Sequence, residues 1–577
     1  MPDRTHNRIA GRIRFVQIVL VLILTGLGIK SFDIQILKAE EFARRAENGY
    51  SRHLTIKGER GRILDRNWNK LGATLDAVTV IADPLRIEAP VKTARALAPL
   101  LEKSPEDLTR QFSRDSRYAL VAENISPDTA RQVRMMNLPG IYFQKSFKRF
   151  YPNRDLAAQV IGFTGKEDTG LEGLELKYND VLEGQSVTVR VRRDGTGRIL
   201  DIDRKKQAEL RGNDIILTLD KKIQLFTETA LEETVRKHKA RSGMALVMRP
   251  ATGELLAMAH FPRFNPNNYG EFDPALFRNR AVTDVFEPGS TLKVFTAAAA
   301  LEKGMTSNSI FFCENGRYRI GGYTVRDTHP HDWLTIDHII AYSSNIGAAK
   351  IAESMGKAVL HDYLTRFGFG DRTQVDCPGE ITGTLMPPER WARIDTAAIS
   401  FGQGISVSAI QLITGISAIA NNGRVMKPML VKQIVSNTGQ DLQMFHPTPV
   451  RQAITPHTAA QVKHMMALAV QEKGTGTKAA LAGYEVCGKT GTAQKVVQGQ
   501  KGYAENTYTS VFGGFAPHQN PQLAVLVVVD EPRNKYYGGD VAAPAFKSIL
   551  AQSFNYLSIP PAAGSMVAAV ADKGETR

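Results

Sequence analysis

Cysteine is scarce in this chain: Cys313, Cys377 and Cys487 are the only three among 577 residues. Their odd number and wide spacing exclude a disulfide-stapled scaffold and a cysteine-ligated zinc module, both of which need more closely organised cysteines. Scarce cysteine is compatible with an oxidising compartment. We interpret Cys487 as a small core residue and not as a nucleophile.

Long apolar runs are equally rare. Residues 15–29 form an uncharged run between Arg14 and Lys30, and a bilayer span needs about 20 residues. Because basic side chains can extend towards the headgroups, we predict a cytoplasmic tail over residues 1–14 and a transmembrane anchor over 15–34. The arginines before the span place the N-terminus in the cytoplasm and the bulk outside the inner membrane. A cleaved signal peptide is the alternative, although no small-residue cleavage site follows directly.

Motifs of the known nucleic-acid-binding modules are absent from the sequence. The net charge of +15 suits another anionic neighbour, such as a membrane surface or a cell-wall polymer. Two histidines in Thr328–Asp332 resemble a metal pair, but a proline separates them and no third ligand is placed, so we predict no metal site. The length exceeds what one core accommodates and predicts two or more domains.

The order of predicted elements indicates an α+β fold. Residues 50–220 are rich in strands and turns, and we predict a pedestal domain there. In residues 221–555 strands come first, helices continue to about Ala420 and strands return from Tyr484. This order predicts one sheet closed by both ends of the domain, with helices packed on it. Residues 556–577 are predicted to form a disordered tail.

Apolar residues at helical or alternating spacing give the bounds of individual elements. Ser126 is suited to cap one helix, and Pro99 should kink or shorten another. The charged stretch Arg60–Asn67 is either a structural salt-bridge cluster or a solvated loop. The predicted helices cover Thr93–Lys103, Ser126–Asn137 and Lys221–His238, and the predicted strands cover the hairpin Ala245–Met248 with Leu255–Met258, and Leu523–Val529.

The stretch Phe286–Lys293 combines a helix start with a nucleophile. Pro288 and Gly289 interrupt what precedes them, so Ser290 falls in the first turn of a buried apolar helix. Ser290 and Lys293 are three residues apart and therefore share one face. A serine hydroxyl needs an adjacent base, and a buried lysine can serve when it is neutral. The spacing alone is equally that of a capping serine beside a solvated lysine.

The stretch Tyr342–Asn345 falls on a turn between predicted helices. There Ser343 and Asn345 can point into one cleft, where the hydroxyl could relay a proton and the amide could hold a substrate carbonyl. By itself such a stretch is also a common helix cap.

The stretch Gly488–Thr492 directly follows a strand predicted over Tyr484–Cys487. Glycines in a strand indicate close approach by another backbone, and a peptide-like substrate could add there as an extra strand. Lys489 would supply positive charge, and the backbone N–H groups of Thr492 and Ser290 would form an oxyanion hole. The segment Lys535–Gly539 is a turn that could lie near the same cleft.

In this order the three motifs match the signature of active-site serine enzymes that recognise penicillin. The chain resembles the class B penicillin-binding proteins, and within them the cell-division (FtsI-type) peptidoglycan D,D-transpeptidases. Two departures, at Asn67–Asn69 and Gln159, fall in the pedestal. The likeness runs from the anchor to about Leu550 and includes Arg60–Asn67, Arg149–Pro152, Gly170–Glu175, Leu217–Asp220, Thr252–Glu254, Arg278–Ala281 and Gly402–Gly404.

The resemblance implies a serine β-lactamase-like transpeptidase domain, which is an antiparallel sheet with helices on both sides. It also implies a serine-type D-Ala-D-Ala transpeptidase without a cofactor. Ser290 would attack a donor stem peptide, Lys293 would take its proton and Ser343 would relay it. A β-lactam would trap the same serine. The implied catalytic residues are Ser290, Lys293, Ser343, Asn345 and Lys489, and the implied substrate-binding residues are Thr490, Gly491 and Thr492.

The implied partners are peptidoglycan stem peptides, β-lactams, the cytoplasmic membrane, a septal glycosyltransferase (FtsW-type) and other division proteins. The implied work is cross-linking at the division septum. The alternatives are an elongation-type transpeptidase, a carboxypeptidase, a β-lactamase, a membrane-anchored penicillin sensor and a structural scaffold. Residues 1–14 are too few for the signalling domain that a sensor would need.

Overall fold

The computed structural model describes residues 3–42, 51–192, 209–471, 473–496 and 502–561. The chain forms two compact units. One combines Met1–Glu59 with Gly184–Arg211, and the other combines Arg60–Glu183 with Gly212–Arg577.

The first unit contains the predicted anchor. An α-helix runs over Asp3–Phe32 and continues as a π-helical turn over Asp33–Leu37. The segment Ile9–Leu37 is long and apolar enough to cross a membrane, and none of its most apolar window is buried by protein. The helix therefore includes the predicted span and begins earlier, because the basic N-terminal residues continue the same helix. In the same unit, Ser51–Lys57 pairs antiparallel with Ser186–Arg192.

A seven-stranded sheet organises the first part of the second unit. One of its strands, Lys70–Ala82, pairs antiparallel with Ile141–Phe150 from Ala73 to Ala82. Two of its strands come from beyond residue 221, so residues 60–220 do not complete this sheet alone. The division at 220 therefore stays a prediction. In spatial order the strands are Asp441–Met444, Val431–Val435, Asp214–Leu217, Ile63–Leu64, Lys70–Ala82 and Ala119–Ile125, with Ile141–Phe150 paired to Lys70–Ala82.

Three helices pack beside this sheet, at Pro90–Leu101, Pro105–Phe112 and Pro127–Met135. The last confirms the helix predicted after Ser126, whose hydroxyl accepts a hydrogen bond from the Thr129 N–H at 3.0 Å. Pro99 lies inside the first helix, which ends two residues later, in agreement with the predicted shortening.

The charges of Arg60–Asn67 form a structural cluster and not a solvated loop. Arg60 Nε donates to Glu175 at 2.7 Å, and both side chains are fully buried. Arg149 Nε donates to the other oxygen of Glu175 at 2.6 Å. A buried carboxylate held by two guanidinium groups is compensated in charge, which makes its burial tolerable.

A five-stranded antiparallel sheet forms the centre of the second unit, as predicted. At one end of the sheet, Ser242–Met248 pairs antiparallel with the edge strand Leu255–Phe261, which confirms the predicted hairpin. Leu523–Asp530 confirms the predicted buried strand. In spatial order the strands are Cys487–Val496, Tyr503–Ala516, Leu523–Asp530, Ser242–Met248 and Leu255–Phe261.

Both faces of this sheet are covered by helices. Ala245 and Val247 pack in the same apolar cluster as helices Lys221–Lys237 and Ala543–Tyr556. Leu246 and Met248, which alternate with them, pack in the other cluster. Successive strand side chains point to opposite faces, so the run is apolar at every position. The two sets of helices account for the predicted helices on both sides.

The remaining helices of the second unit surround these sheets at Ala158–Ile161, Gly173–Lys177, Asn179–Leu182, Arg280–Thr283, Lys293–Glu302, Ile336–Tyr342, Asn345–Met355, Lys357–Arg366, Arg393–Ser400, Ala409–Ala420, Pro456–Leu468 and Gly538–Val541. Short strands lie between the helical segments that were predicted to continue to about Ala420, where Ile310–Phe312 pairs with Trp333–Thr335 and Arg317–Ile320 pairs with Tyr323–Arg326. Beyond that bound, Arg424–Met426 pairs with Pro449–Gln452.

Two predicted bounds are wrong. The strand carrying Gly488 begins at Cys487, so the motif lies inside the strand and Tyr484 forms an isolated bridge with Leu481. Tyr556 ends a helix and does not begin a tail, because its ring packs against the helix that begins at Lys221. Most of the predicted tail, residues 562–577, lies outside the described residues.

Candidate active site

The serine of the first motif lies on a 3₁₀ turn, Gly289–Leu292, which leads into the helix Lys293–Glu302. Gly289 has a φ of +54°, and a Cβ there would lie 3.0 Å from the carbonyl oxygen of Thr492. Only glycine meets both conditions without strain. The Gly289 N–H also donates to the carbonyl of Gly402 at 3.1 Å. The turn is therefore held between the segment Gly402–Gly404 and the strand that carries Thr492. The side chain of Ser290 stays partly exposed.

Lys293 directly follows this turn, as the first residue of the helix, and is fully buried. Its Nζ donates to the carbonyl oxygen of Ser343 at 2.6 Å, to Ser343 Oγ at 3.2 Å and to Asn345 Oδ1 at 2.7 Å. Burial lowers the pKa of Lys293 to about 7, while the nearby negative charge of Asp327 opposes that shift. A lysine with this pKa is partly neutral at physiological pH and can accept a proton.

Lys489 reaches the same place from the central sheet. Its Nζ donates to Ser343 Oγ at 2.9 Å, and its side chain is almost completely buried. Burial lowers the pKa of Lys489 well below its ordinary value, and the positive charge of Lys293 lowers it further. Two lysines that meet at one hydroxyl cannot both remain charged without a large electrostatic cost.

The second motif occupies a tight turn between two helices. Ser343 has a φ of +64°, in the left-handed region, and this conformation turns the chain between Ile336–Tyr342 and Asn345–Met355. Ser344 caps the second helix, with its hydroxyl accepting from the Gly347 N–H at 2.9 Å. The turn therefore presents Ser343 and Asn345 to the lysines and Ser344 to the helix.

Asp327 holds this turn in place and was not among the predicted site residues. It accepts hydrogen bonds from the Ser344 hydroxyl at 2.6 Å and from the Asn345 and Ile346 N–H groups at 2.5 and 3.0 Å. An anion at a helix N-terminus is favourable. The sequence carries no local signal for this role, because Asp327 comes from a strand end 17 to 19 residues earlier.

The third motif lies on an edge strand of the five-stranded sheet, Cys487–Val496, whose outer edge pairs with no strand within the described part of the chain. Thr490 Oγ1 lies 2.9 Å from Thr475 Oγ1, and Thr492 Oγ1 accepts from the Gly538 N–H at 3.0 Å. A Cβ at Gly491 would lie 2.6 Å from the carbonyl oxygen of Pro288. The glycine thus permits the serine turn to approach the strand.

The tyrosine-containing loop predicted near the cleft lies beside this strand. Gly538 contacts Thr492 directly, and the ring of Tyr536 stacks on that of Tyr508 at 4.2 Å. Elsewhere, His331 stacks on Tyr342 with ring centroids 5.3 Å apart. Among the described residues, no group of three or more His, Cys, Asp or Glu side chains could hold a metal ion.

The geometry thus brings together Lys293, Ser343, Asn345 and Lys489, and it places the Ser290 turn against the strand of Thr492. Such an arrangement supplies a partly neutral base, a hydroxyl that can relay a proton, and an unpaired strand edge for a peptide.

Two family matches cover most of the chain. Residues 243–551 match the penicillin binding protein transpeptidase domain, and residues 55–217 match the penicillin-binding protein dimerisation domain. Together they cover the second unit except for residues 218–242 and the residues after 551.

Curated relatives are similar over nearly their whole length. A probable peptidoglycan D,D-transpeptidase, PbpC, of Pseudomonas aeruginosa is 34% identical, with 97% of this chain and 98% of the relative covered. The peptidoglycan D,D-transpeptidase FtsI of Escherichia coli is 31% identical, with 92% and 89% covered. The stage V sporulation protein D of Bacillus subtilis is 34% identical, with 95% and 85% covered.

A solved structure is similar throughout the fold. Penicillin binding protein 3 of Mycobacterium tuberculosis, crystallised with aztreonam, has a TM-score of 0.70 and 27% identity, with 88% of this chain and 98% of that chain covered. The chain therefore belongs to the class B penicillin-binding proteins and is a serine-type peptidoglycan D,D-transpeptidase.

Proposed function

We propose that the protein cross-links peptidoglycan at the division septum through an acyl-serine intermediate on Ser290. The observation that carries the mechanism is the convergence of Lys293 and Lys489 on Ser343 Oγ, with Lys293 three residues after Ser290 where the serine turn leads into a helix. This arrangement supplies a base and a relay next to a nucleophile that has neither by itself.

In the proposed first step, Ser290 Oγ attacks the penultimate carbonyl of a stem peptide that ends in D-Ala-D-Ala. Lys293 takes the hydroxyl proton, and Ser343 passes a proton to the nitrogen of the leaving D-Ala as the peptide bond breaks. Asn345 orients the donor amide. The backbone N–H groups of Ser290 and Thr492 stabilise the developing oxyanion.

The donor peptide would lie along the free edge of Cys487–Val496 as an added strand. Thr490 and Thr492 would bind its terminal carboxylate beside the positive potential of Lys489, and Gly491 would leave room for the approach. In the second step an amine from a neighbouring strand attacks the acyl-enzyme, forms the cross-link and releases Ser290.

A β-lactam presents a strained amide to the same serine and would be trapped as a stable ester. Mass spectrometry of the protein after exposure to penicillin is expected to locate one adduct on Ser290. The Ser290→Ala variant should form no adduct, while Ser354→Ala, at an exposed serine on the Asn345–Met355 helix, should react normally. An adduct on another residue would overturn the mechanism.

The septal role is supported by similarity to the E. coli protein named FtsI. Depletion of the protein in its host is the direct test, because loss of septal cross-linking gives filaments. Rounded cells would instead assign the elongation role. By the same similarity, a septal glycosyltransferase of the FtsW type is the expected partner, and its association should require the anchor.

The proposed location is the inner membrane, crossed once by residues 15–34 within the apolar segment Ile9–Leu37, with residues 1–14 in the cytoplasm and the bulk outside. The basic residues that precede the apolar run support this orientation. Protease added outside spheroplasts should digest the transpeptidase domain and spare an N-terminal tag. Digestion of the tag instead would reverse the orientation.

A further inference from the structure

A cavity of about 910 Å³ lies in the second unit beside the serine turn. Phe286 and Glu287, which lead into that turn, line one side of it. Ala493–Lys495, which continue the strand beyond Thr492, line the other side. The cavity therefore lies next to the turn that carries Ser290 and includes the part of the donor-edge strand that follows Thr492.

The cavity crosses one end of the five-stranded sheet. Every strand contributes to its lining, represented by Lys495, Thr509, Asp530, Ser242 and His260. Neighbouring strands lie about 4.8 Å apart, so the five strands span roughly 19 Å. An extended peptide of about six residues has that length.

The cavity lining contains both positively and negatively charged side chains. Four cations, Arg241, Arg278, Arg280 and Lys495, face three carboxylates there. Lys495 contacts Asp530 at 2.8 Å and Glu531 at 2.7 Å. The side chain of Arg241 is 70% exposed and contacts the same Glu531 at 3.1 Å. A ligand with free carboxylates would find guanidinium and ammonium donors in the lining.

Glu287 stands where the cavity meets the serine turn. Its Oε1 accepts from the Gly404 N–H at 2.9 Å and from the Tyr503 hydroxyl at 3.4 Å. Its Oε2 is buried and has no hydrogen-bond partner among the described residues. An unsatisfied carboxylate oxygen in a half-buried position attracts a cationic donor.

We propose that this cavity binds the acceptor stem peptide, with its amine at Glu287 and its carboxylates towards Arg241 and Lys495. The inference rests on the proposed function and specifies its second substrate. The proposed acceptor is a stem peptide with one primary amine and free carboxylates. Its amine would meet the unsatisfied Glu287 oxygen at one end of the cavity, and its carboxylates would meet the cations beyond it.

The acceptor reaction moves two protons and replaces one bond to the acyl carbon by another. The acceptor ammonium gives one proton to Glu287 and becomes a free amine. Its nitrogen bonds to the ester carbonyl carbon, the bond from that carbon to Ser290 Oγ breaks, and the second amine proton passes through Lys293 to Ser290 Oγ. An amide and a free serine hydroxyl result, and Glu287 later returns its proton to solvent.

The test compares Glu287→Gln with wild type in the full-length protein in detergent. A thioester donor acylates the enzyme, and a synthetic peptide with one free amine and a terminal carboxylate competes with water for the acyl group. The ratio of amide to hydrolysed product is expected to fall about 10²-fold, the lower end of what a positioned proton acceptor contributes. Glu505→Gln, at an exposed carboxylate on the strand that carries Tyr503, should keep the wild-type ratio.

A second variant tests the carboxylate end. Arg241→Gln should raise the KM for the acceptor peptide about threefold to fivefold, as expected for an exposed ion pair, without lowering kcat. An unchanged ratio in Glu287→Gln, or an equal loss of penicillin acylation in that variant, would overturn the acceptor site. Failure of the proposed function is distinguishable, because the Ser290→Ala variant would then still form the penicillin adduct.

Discussion

Lys293 and Lys489 donate hydrogen bonds to one and the same atom, Ser343 Oγ, at 3.2 and 2.9 Å. They come from a helix and from a sheet strand, and both are buried. Because two ammonium groups repel each other in a low-dielectric site, at least one amine is favoured in its neutral form. Ser343 therefore lies between the proposed proton acceptor Lys293 and a second amine, Lys489, whose pKa is lowered by burial and by the charge of Lys293.

Replacing Lys293 with alanine should slow acylation by penicillin about 10²- to 10⁴-fold, the range for loss of a general base. The variant should still fold, because it removes a buried amine whose burial is unfavourable. Stopped-flow measurement with a fluorescent penicillin gives the rate. Lys463→Met is the matched control, since Lys463 is another buried lysine with a lowered pKa but bonds to Asn422. An unchanged rate in Lys293→Ala would exclude Lys293 as the base.

The acylation rate should rise with pH through about 7, because burial lowers the pKa of Lys293 to about 7 and only the neutral amine accepts a proton. Asp327 opposes that shift, so Asp327→Asn should lower the pKa of Lys293 further. The midpoint of the pH–rate profile should then move to lower pH. Asp395→Asn, whose carboxylate caps another helix, should leave the midpoint in place. A midpoint that moves upward in Asp327→Asn would contradict this account.

Ser343→Ala and Ser344→Ala should separate chemistry from stability at adjacent positions. Ser344 caps a helix and donates to Asp327, so its loss should cost about 0.5–2 kcal/mol of unfolding free energy. Ser343 bonds the two lysines, so its loss should slow acylation about 10²-fold with a smaller change in stability. Urea unfolding and acylation kinetics on both variants decide the matter, and the reverse pattern would refute the assignment.

Arg60→Met should lower the unfolding free energy by about 3–5 kcal/mol, because it leaves the buried carboxylate of Glu175 with one cation fewer. Arg131→Met should cost at most about 1 kcal/mol, since Arg131 pairs with Asp128 on the surface. Denaturant unfolding monitored by tryptophan fluorescence compares the two variants. Equal losses would mean that burial of the Arg60–Glu175 pair has no special energetic role.

Local periodicity identified much of the second unit in advance. The helix at Lys221–Lys237, the hairpin of Ser242–Met248 with Leu255–Phe261, and the strand Leu523–Asp530 lie within a few residues of their predicted bounds. These elements are long, strongly patterned and bounded by turn residues, which are the conditions under which sequence is most informative. The short strands between Ile310 and Thr335 are too brief to show a period.

The seven-stranded sheet could not be derived in the same way. Val431–Val435 pairs with Asp214–Leu217, more than two hundred residues earlier, and no local pattern reports such a partner. The role of Asp327 was missed for a related reason, because a carboxylate that caps another segment looks like any surface aspartate in the sequence.

The sequence by itself determined the residue types, their order and the local elements that carry them, because turns, caps and apolar periods act over a few neighbouring residues. Only the tertiary structure decided that Lys293 and Lys489 share Ser343 Oγ, across separations of 50 and 146 residues. It also decided their burial, and burial sets the pKa of each amine through the loss of hydration. Chemical competence at this site is therefore a property of long-range packing.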